Sequence, residues 1–414
     1  MTPLKVLLVV AWYYPESVGG SEAYVRLLAR GLRDAGCDVS IAAGIDGVDE
    51  KNYEYEGIPV YRYPVPPGVS KAEFAGITPP RLFERFEAHV SRLKPDVVHF
   101  HSVTRGCGPP HARLARSVSR RLFLTMHVPG VTCARGTMMR WGRVACDGRM
   151  AALRCSACVA QSRWPLPVAL AGTPCLAVGM AKRHAATREF LSLFDGTVAV
   201  AHWIQQVLIE NGVPHSKVHL CRHGLNAQTS FASIPADGPL RVVYLGRITR
   251  FKGIDVLLRA LVRTNAPIEL RVYGGTVTEE DRRYEVRLRR IAAGDRRIFF
   301  LPSVAPAEVP CILSGADVIA VPSRWLEAGP YVVLEAFAVG RPVLGMNLGG
   351  IAELVRDGID GLLLPDSVAA WTSALERLSG DRTLVSQLQS NILPVRSSGD
   401  VASDMLSLYK GEGI

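Results

Sequence analysis

No Asp-X-Asp triplet occurs anywhere in the 414 residues. The carboxylate pair with which many enzymes hold a catalytic divalent ion is therefore missing. Aromatic residues make up 7% of the chain, and few stand among the basic residues. With no recognised nucleic-acid motif either, a nucleic-acid partner is not expected. A secretory leader is also missing. Leu4-Lys-Val-Leu-Leu-Val-Val-Ala11 has no basic n-region and no small-residue cleavage site, and reads as a first buried strand of a cytoplasmic protein. No clean membrane span is present. Trp164 to Ala181 carries no charge over eighteen residues, a length that suits a span. It also holds Pro165, Pro167, Pro174, Gly172 and Gly179, so it reads instead as a segment packed on the protein or lying at a bilayer surface. No lysine site for pyridoxal phosphate is evident, which weighs against a phosphorylase.

What is present suits two domains. The chain is too long for one ordinary domain and matches two of about 200 residues. With 48% apolar and 21% charged residues it can bury large cores. The net charge of +10 is uneven: residues 1–200 hold 25 Lys and Arg against 16 Asp and Glu, and residues 201–414 hold 23 against 22. A basic N-terminal half suggests an anionic partner, namely lipid phosphate, an anionic membrane surface met peripherally, or an acidic glycan.

Apolar runs at 4–10, 38–43, 96–101, 121–126 and 195–201 alternate with helix-like stretches such as Ser21–Ala35 and Pro110–Ser119. The second half repeats this, with runs at 241–246, 268–273, 298–301, 317–321 and 342–346. Between them lie Ile254–Thr264, Glu280–Ala292, Pro306–Ser314 and Tyr331–Val339. Such alternation predicts parallel sheets covered by helices, which bind ligands beyond the carboxyl ends of their strands. The Ser-, Ala-, Asp- and Pro-rich stretch Asn226–Pro239 is the expected linker. The expected domains are 1–225, with an insert at about 128–180, and 226–395; a tail, 396–414, follows.

Two glutamates carry the most information. Glu327 and Glu335 stand in Trp325-Leu-Glu-Ala-Gly-Pro-Tyr-Val-Val-Leu-Glu335. Gly329-Pro330 breaks any helix between them, and proline suits a first helical position. Glu327 then belongs to a loop and Glu335 to the early turns of the next helix. The free N–H groups around Gly329 to Val332, with the helix dipole, form an anion site. Carboxylates beside a phosphate site accept from neighbouring hydroxyls, and hydroxyls with phosphate describe a sugar nucleotide. Before the pair comes Asp317-Val-Ile-Ala-Val-Pro-Ser323. After it come Gly340-Arg-Pro-Val-Leu-Gly-Met-Asn-Leu-Gly-Gly350 and Glu353-Leu-Val-Arg-Asp-Gly-Ile-Asp-Gly361. This stretch resembles the C-terminal signature of the retaining glycosyltransferases of family 4.

That resemblance implies the α/β GT-B fold, two Rossmann-like domains facing each other across a cleft, with the tail crossing back onto the first. It implies roles as well. Glu327 accepts from hydroxyls of the transferred sugar, and Glu335 from the ribose diol. Pro330, Tyr331 and Val332 bring backbone to the sugar and diphosphate. Arg247 and Lys252, in Gly246-Arg-Ile-Thr-Arg-Phe-Lys252-Gly253, hold the diphosphate, Arg bidentately and Lys as a point charge. They stand in for a catalytic metal ion. Gly19 and Gly20, after the first strand, match the family's N-terminal phosphate loop. His127, ending Thr125-Met-His127, matches an active-site histidine, although Val128 stands where Asp often follows. Of His99 and His101, the latter is expected nearer the site. In this class the acceptor hydroxyl attacks from the face that the diphosphate leaves, so no dedicated nucleophile is expected.

Of nine cysteines, Cys133, Cys146, Cys155 and Cys158 form a local set with metal-ligand spacing. A structural zinc ion is the first expectation for a loop with little periodicity, and an iron–sulfur cluster another; free or redox thiols and disulfides are the alternatives. A subset of family 4 resembles the chain here too, with a four-cysteine insert after the histidine strand. The reading is a metal-independent hexosyltransferase-type enzyme moving a sugar from a nucleotide-sugar donor to a glycan or lipid-linked acceptor, in cell-surface polysaccharide biosynthesis. Its alternatives are another GT-B sugar-nucleotide enzyme, epimerase-like, and a non-catalytic binding subunit with a metal-stabilised docking loop.

Overall fold

The computed structural model describes residues 2–412 apart from 18, 69, 71–72, 74–77, 105, 165, 227–233 and 235–236. The greater part of the expected linker 226–239 lies outside the described residues. The chain forms two compact units, residues 1–224 with 397–414, and residues 225–396.

In the first unit β1 (Lys5–Val10), β2 (Asp38–Asp46), β3 (Lys51–Tyr55), β4 (Ile58–Val65), β5 (Val97–Phe100), β6 (Arg121–Met126), β9 (Gly196–Ala199) and β10 (Val218–Leu220) make one sheet. Its order is β10-β9-β6-β5-β1-β2-β4-β3. Only β3 runs antiparallel, against β4. Five of six residues of β1 are buried, as a central parallel strand covered on both faces requires. The edge strand β3 is largely exposed and carries Lys51 and Glu54, which discourages pairing with another chain. The hairpin β7 (Met139–Arg140) and β8 (Val144–Ala145) stands apart from this sheet.

In the second unit β11 (Leu240–Leu245), β12 (Ile268–Tyr273), β13 (Ile298–Leu301), β14 (Val318–Val321), β15 (Val343–Met346) and β16 (Gly361–Leu364) form a wholly parallel sheet, ordered β13-β12-β11-β14-β15-β16. The chain order reverses between β11 and β14, and loops beyond such a switch point are where these sheets bind ligands. Asp317, at the start of β14, is fully buried. It accepts from Arg241 at 2.5 Å and Arg382 at 2.8 Å.

The expected strands and helices appear with ends shifted by up to three residues, and 306–314 divides into a 3₁₀ turn, Pro306–Glu308, and a helix, Val309–Ser314. Strands β3, β4, β10 and β16 and the hairpin are additional. The uncharged stretch 164–181 lies mostly within a 27-residue helix, Leu166–Ser192, that runs through Pro174. Among the described residues no helix is long and apolar enough to cross a membrane.

The helix Gly20–Asp34 packs on the helix Ser398–Lys410. At their crossing a Cβ on Gly31 would lie 2.7 Å from Ala402 Cβ and 3.1 Å from the Ser398 carbonyl oxygen. Gly31→Val is therefore expected to cost about 1–3 kcal/mol through overpacking. A lower urea midpoint with an unchanged slope would show it.

Candidate active site

The second unit brings Lys252 and Glu327 together. Lys252 ends a short 3₁₀ turn, Arg250–Lys252, in the loop after β11, and Glu327 lies in the loop after β14. The two loops flank the switch point. Lys252 Nζ donates to Glu327 Oε1 at 2.6 Å, and Ser323 Oγ donates to the same oxygen at 2.8 Å. Glu327 is 8% exposed. Burial alone would raise its pKa, but the charge and hydrogen bond of Lys252 outweigh this and hold it below the ordinary carboxylate range.

Backbone contacts fix both loops. The Arg324 N–H donates to the Phe251 carbonyl at 2.7 Å, and the Gly350 N–H to the Glu327 carbonyl at 2.7 Å. Gly253 has φ +66°, and a Cβ there would stand 2.0 Å from the Pro322 carbonyl oxygen. A Cβ on Gly350 would stand 2.6 Å from the Ala328 carbonyl oxygen. Only glycine allows these approaches.

Glu335 lies in the second turn of the helix Tyr331–Ala338. Pro330 is its N-cap rather than its first residue, one place earlier than expected, and no side chain caps the start. The opening N–H groups of any helix make no bond to a carbonyl within it. Glu335 is half-buried, and burial pushes its pKa up to about 7. Arg247 is exposed, and its carbonyl accepts from the buried Tyr244 hydroxyl at 2.8 Å.

The remaining expected residues belong to the first unit. Gly19 is the N-cap of the helix that begins at Gly20, again with no side-chain cap. There Ser17 Oγ donates to Glu22 Oε1 at 2.7 Å. His101 follows β5 directly and His127 follows β6 directly. His127 is not free to turn a nitrogen elsewhere: Nε2 meets His101 Nδ1 and Nδ1 meets His223 Nε2, each at 3.3 Å. The Tyr24 ring packs against all three imidazoles. Burial, and then the neighbouring imidazoles, hold His127 well below the usual histidine range. His99 plays a separate part, between the Tyr409 hydroxyl at 2.6 Å and the Thr125 hydroxyl at 2.8 Å.

Sequence reasoning missed His223, Ser323 and Tyr24. A signal existed for the first: Leu220-Cys-Arg-His223-Gly224 also places histidine just past a strand end.

Cys133, Cys146, Cys155 and Cys158 come from three segments and line one cavity of about 40 Å³. The Trp141 N–H donates to Cys158 Sγ at 3.4 Å. Four thiols are a donor set that zinc or an iron–sulfur cluster accepts. Among the described residues, however, no three His, Cys, Asp or Glu side chains converge closely enough to hold a metal ion. All four are free cysteines here.

Residues 19–224 match the model of the glycosyl transferase 4-like domain, and residues 239–381 that of glycosyl transferases group 1. The chain belongs to glycosyltransferase family 4. Similar relatives are the D-inositol 3-phosphate glycosyltransferases of Nocardia farcinica, 37% identical over 155 residues, and of Corynebacterium aurimucosum, 36% over 180. These matches span 36% and 41% of this glycosyltransferase and 34% and 42% of the relatives, so the chain spans well under half the length of either. Among solved structures, Anabaena HepE in complex with UDP and glucose superposes with a TM-score of 0.68 at 15% identity, over 98% of this chain and 99% of that one. Sucrose-phosphate synthase from Thermosynechococcus elongatus gives 0.71 at 21%, over 98% of each. The glycosyltransferase thus has the GT-B fold of two Rossmann-like domains.

Removing the cation from the buried pair should be costly. Lys252→Met takes the cation away from Glu327, at an expected cost of about 3–5 kcal/mol. Burial then raises the Glu327 pKa above its unfolded value, so stability falls as pH rises. Urea unfolding should show a larger loss near about pH 8 than near about pH 5, and Lys252→Met with Glu327→Gln should recover much of it.

Proposed function

We propose that this glycosyltransferase moves a sugar, with retention of configuration, from a nucleotide-sugar donor to a glycan or lipid-linked acceptor, in cell-surface polysaccharide synthesis. The observation that carries the reading is the pairing of part-buried Lys252 with buried Glu327 at the switch point, beside a helix start with no side-chain cap. The HepE complexes with UDP, glucose and UDP-glucose support a nucleotide donor.

In this reading Arg247, Lys252 and the N–H groups of the helix start balance the diphosphate charge, in place of a catalytic metal ion. Glu327, already ionised, accepts from the sugar hydroxyls, and Glu335 accepts from the ribose diol. Gly19 and Gly20 offer a second uncapped helix start to the diphosphate. The acceptor oxygen bonds to the anomeric carbon as the bond from that carbon to the diphosphate breaks. The bonding pair leaves with the diphosphate, one of whose oxygens takes the acceptor proton. His127 acts with His101 and His223 rather than through a free nitrogen of its own.

A thermal-shift screen of nucleotide sugars tests the donor class, because a ligand of the native state raises apparent stability. One nucleotide sugar should stabilise the protein, and no response to any would refute the reading. Glu335→Ala should weaken that donor by about 1–3 kcal/mol in calorimetry while the protein stays folded. A carboxylate accepts from both ribose hydroxyls, whereas its protonated form competes as a donor. Donor affinity should therefore climb with pH toward about 7 and level off above it, and Glu335→Gln should flatten that profile.

We propose that the four cysteines take a structural zinc ion, with an iron–sulfur cluster as the other occupant of such a thiol set; binding would have to draw the sulfurs closer together than they stand here. Bound metal would tie the insert together without taking part in transfer. Elemental analysis of purified protein should find one zinc per chain. Clearly substoichiometric metal would end this assignment, and matching iron and sulfide would replace it.

A further inference from the structure

Between residues 129 and 192 the chain holds nine Lys and Arg against two Asp and Glu, a net of +7 out of +10. Within that segment the β7–β8 hairpin projects Trp141-Gly142-Arg143 as its tip. Trp141 has φ +53°, and Gly142 follows at +73°. A bulky L-residue seldom sits in the left-handed region, which glycine occupies without strain. The tip nonetheless carries tryptophan there, 51% exposed, with Val144 54% exposed beside it. The turn is held firmly: the Trp141 N–H donates to Cys158 Sγ, and the Gly142 N–H to the Met139 carbonyl at 3.1 Å. The Arg140 guanidinium lies 6.0 Å from the indole centroid and 3.6 Å from Asp147, while Arg143 is exposed.

Backbone strain at an exposed aromatic gives the fold nothing, and such outliers collect where a segment meets a ligand. Tryptophan favours the headgroup level of a bilayer, and arginines beside it meet lipid phosphate. An acidic glycan would satisfy the arginines but give Trp141 and Val144 no apolar partner. We propose that the hairpin tip, Arg140 to Val144, docks this glycosyltransferase onto an anionic lipid bilayer. The inference extends the lipid-linked acceptor reading by naming the surface that meets the lipid.

Flotation of the full chain with vesicles tests it. The protein should float with phosphatidylcholine–phosphatidylglycerol vesicles at low salt and stay behind with phosphatidylcholine alone. Trp141→Gly relieves the backbone and removes the ring. It should melt no lower than the wild type, yet partition roughly tenfold or more weakly. Arg140→Gln with Arg143→Gln should weaken partition by a similar factor and remove most of its salt dependence. Wild-type protein that never floats, or Trp141→Gly protein that floats as well as the wild type, overturns the proposal. Loss with the arginine variant alone would mean contact by charge only, and overturns it too. The thermal shift given by the donor should persist in Trp141→Gly, so failure of the docking tip and failure of the donor reading are read separately.

Discussion

A carboxylate shut away from water must be compensated, and both the Lys252 ammonium and the Ser323 hydroxyl donate to Glu327. That requirement organises the second unit. Lys252 reaches Glu327 only if the loop after β11 lies against the loop after β14. The parallel pairing of those two strands brings the loops close, and the Arg324-to-Phe251 bond holds them there. The pair is poor value as pure stability, because desolvating two charges offsets much of their attraction. Its use is positional: an ionised acceptor and a cation stand at fixed places before any ligand arrives. The close approaches at Gly253 and Gly350 belong to the same constraint, since any side chain there would push the loops off Glu327.

The first unit solves a related problem differently. His101, His127 and His223 stand just beyond strand ends and are buried. Burial keeps His101 and His127 uncharged, and the neutral ring of His127 gives one N–H along the row and takes another. Such a row has only two consistent tautomeric arrangements, and reversing one ring reverses its neighbours. His127 is therefore part of a coupled unit, and its environment is set as much by His223 as by its own strand.

Much of this was legible beforehand, because parallel strands buried on both faces write themselves as apolar runs. The positions of β1, β6, β12 and β13, and the loop–helix placing of Glu327 and Glu335, follow from local pattern. The hairpin of β3 and β4 did not, because Lys51–Tyr55 is an exposed edge strand rich in polar residues. The helix through Pro174 was hidden for the opposite reason: proline and glycine argue against a helix that neighbouring packing nevertheless supports. The contact of Lys252 with Glu327 joins residues 75 apart. Sequence shows that both are present, while only the sheet order shows that they touch. The imidazole row has the same character, since its members come from three strands.

Charge separates the two kinds of recognition. Residues 201–414 are close to neutral, with 23 basic against 22 acidic residues. In the proposed function, selection of a nucleotide sugar there rests on a few placed groups, with short-range geometry doing the discriminating. A broad positive field would add affinity for any polyanion and blur that choice. The excess charge lies instead in residues 129–192, away in sequence from every expected donor residue, with His127 the one expected site residue beside it. There a field that does not distinguish one phosphate from another is an advantage, because a membrane surface presents many. In the proposed docking, specificity comes from what charge cannot supply, an indole fixed at a turn where the backbone would rather have glycine.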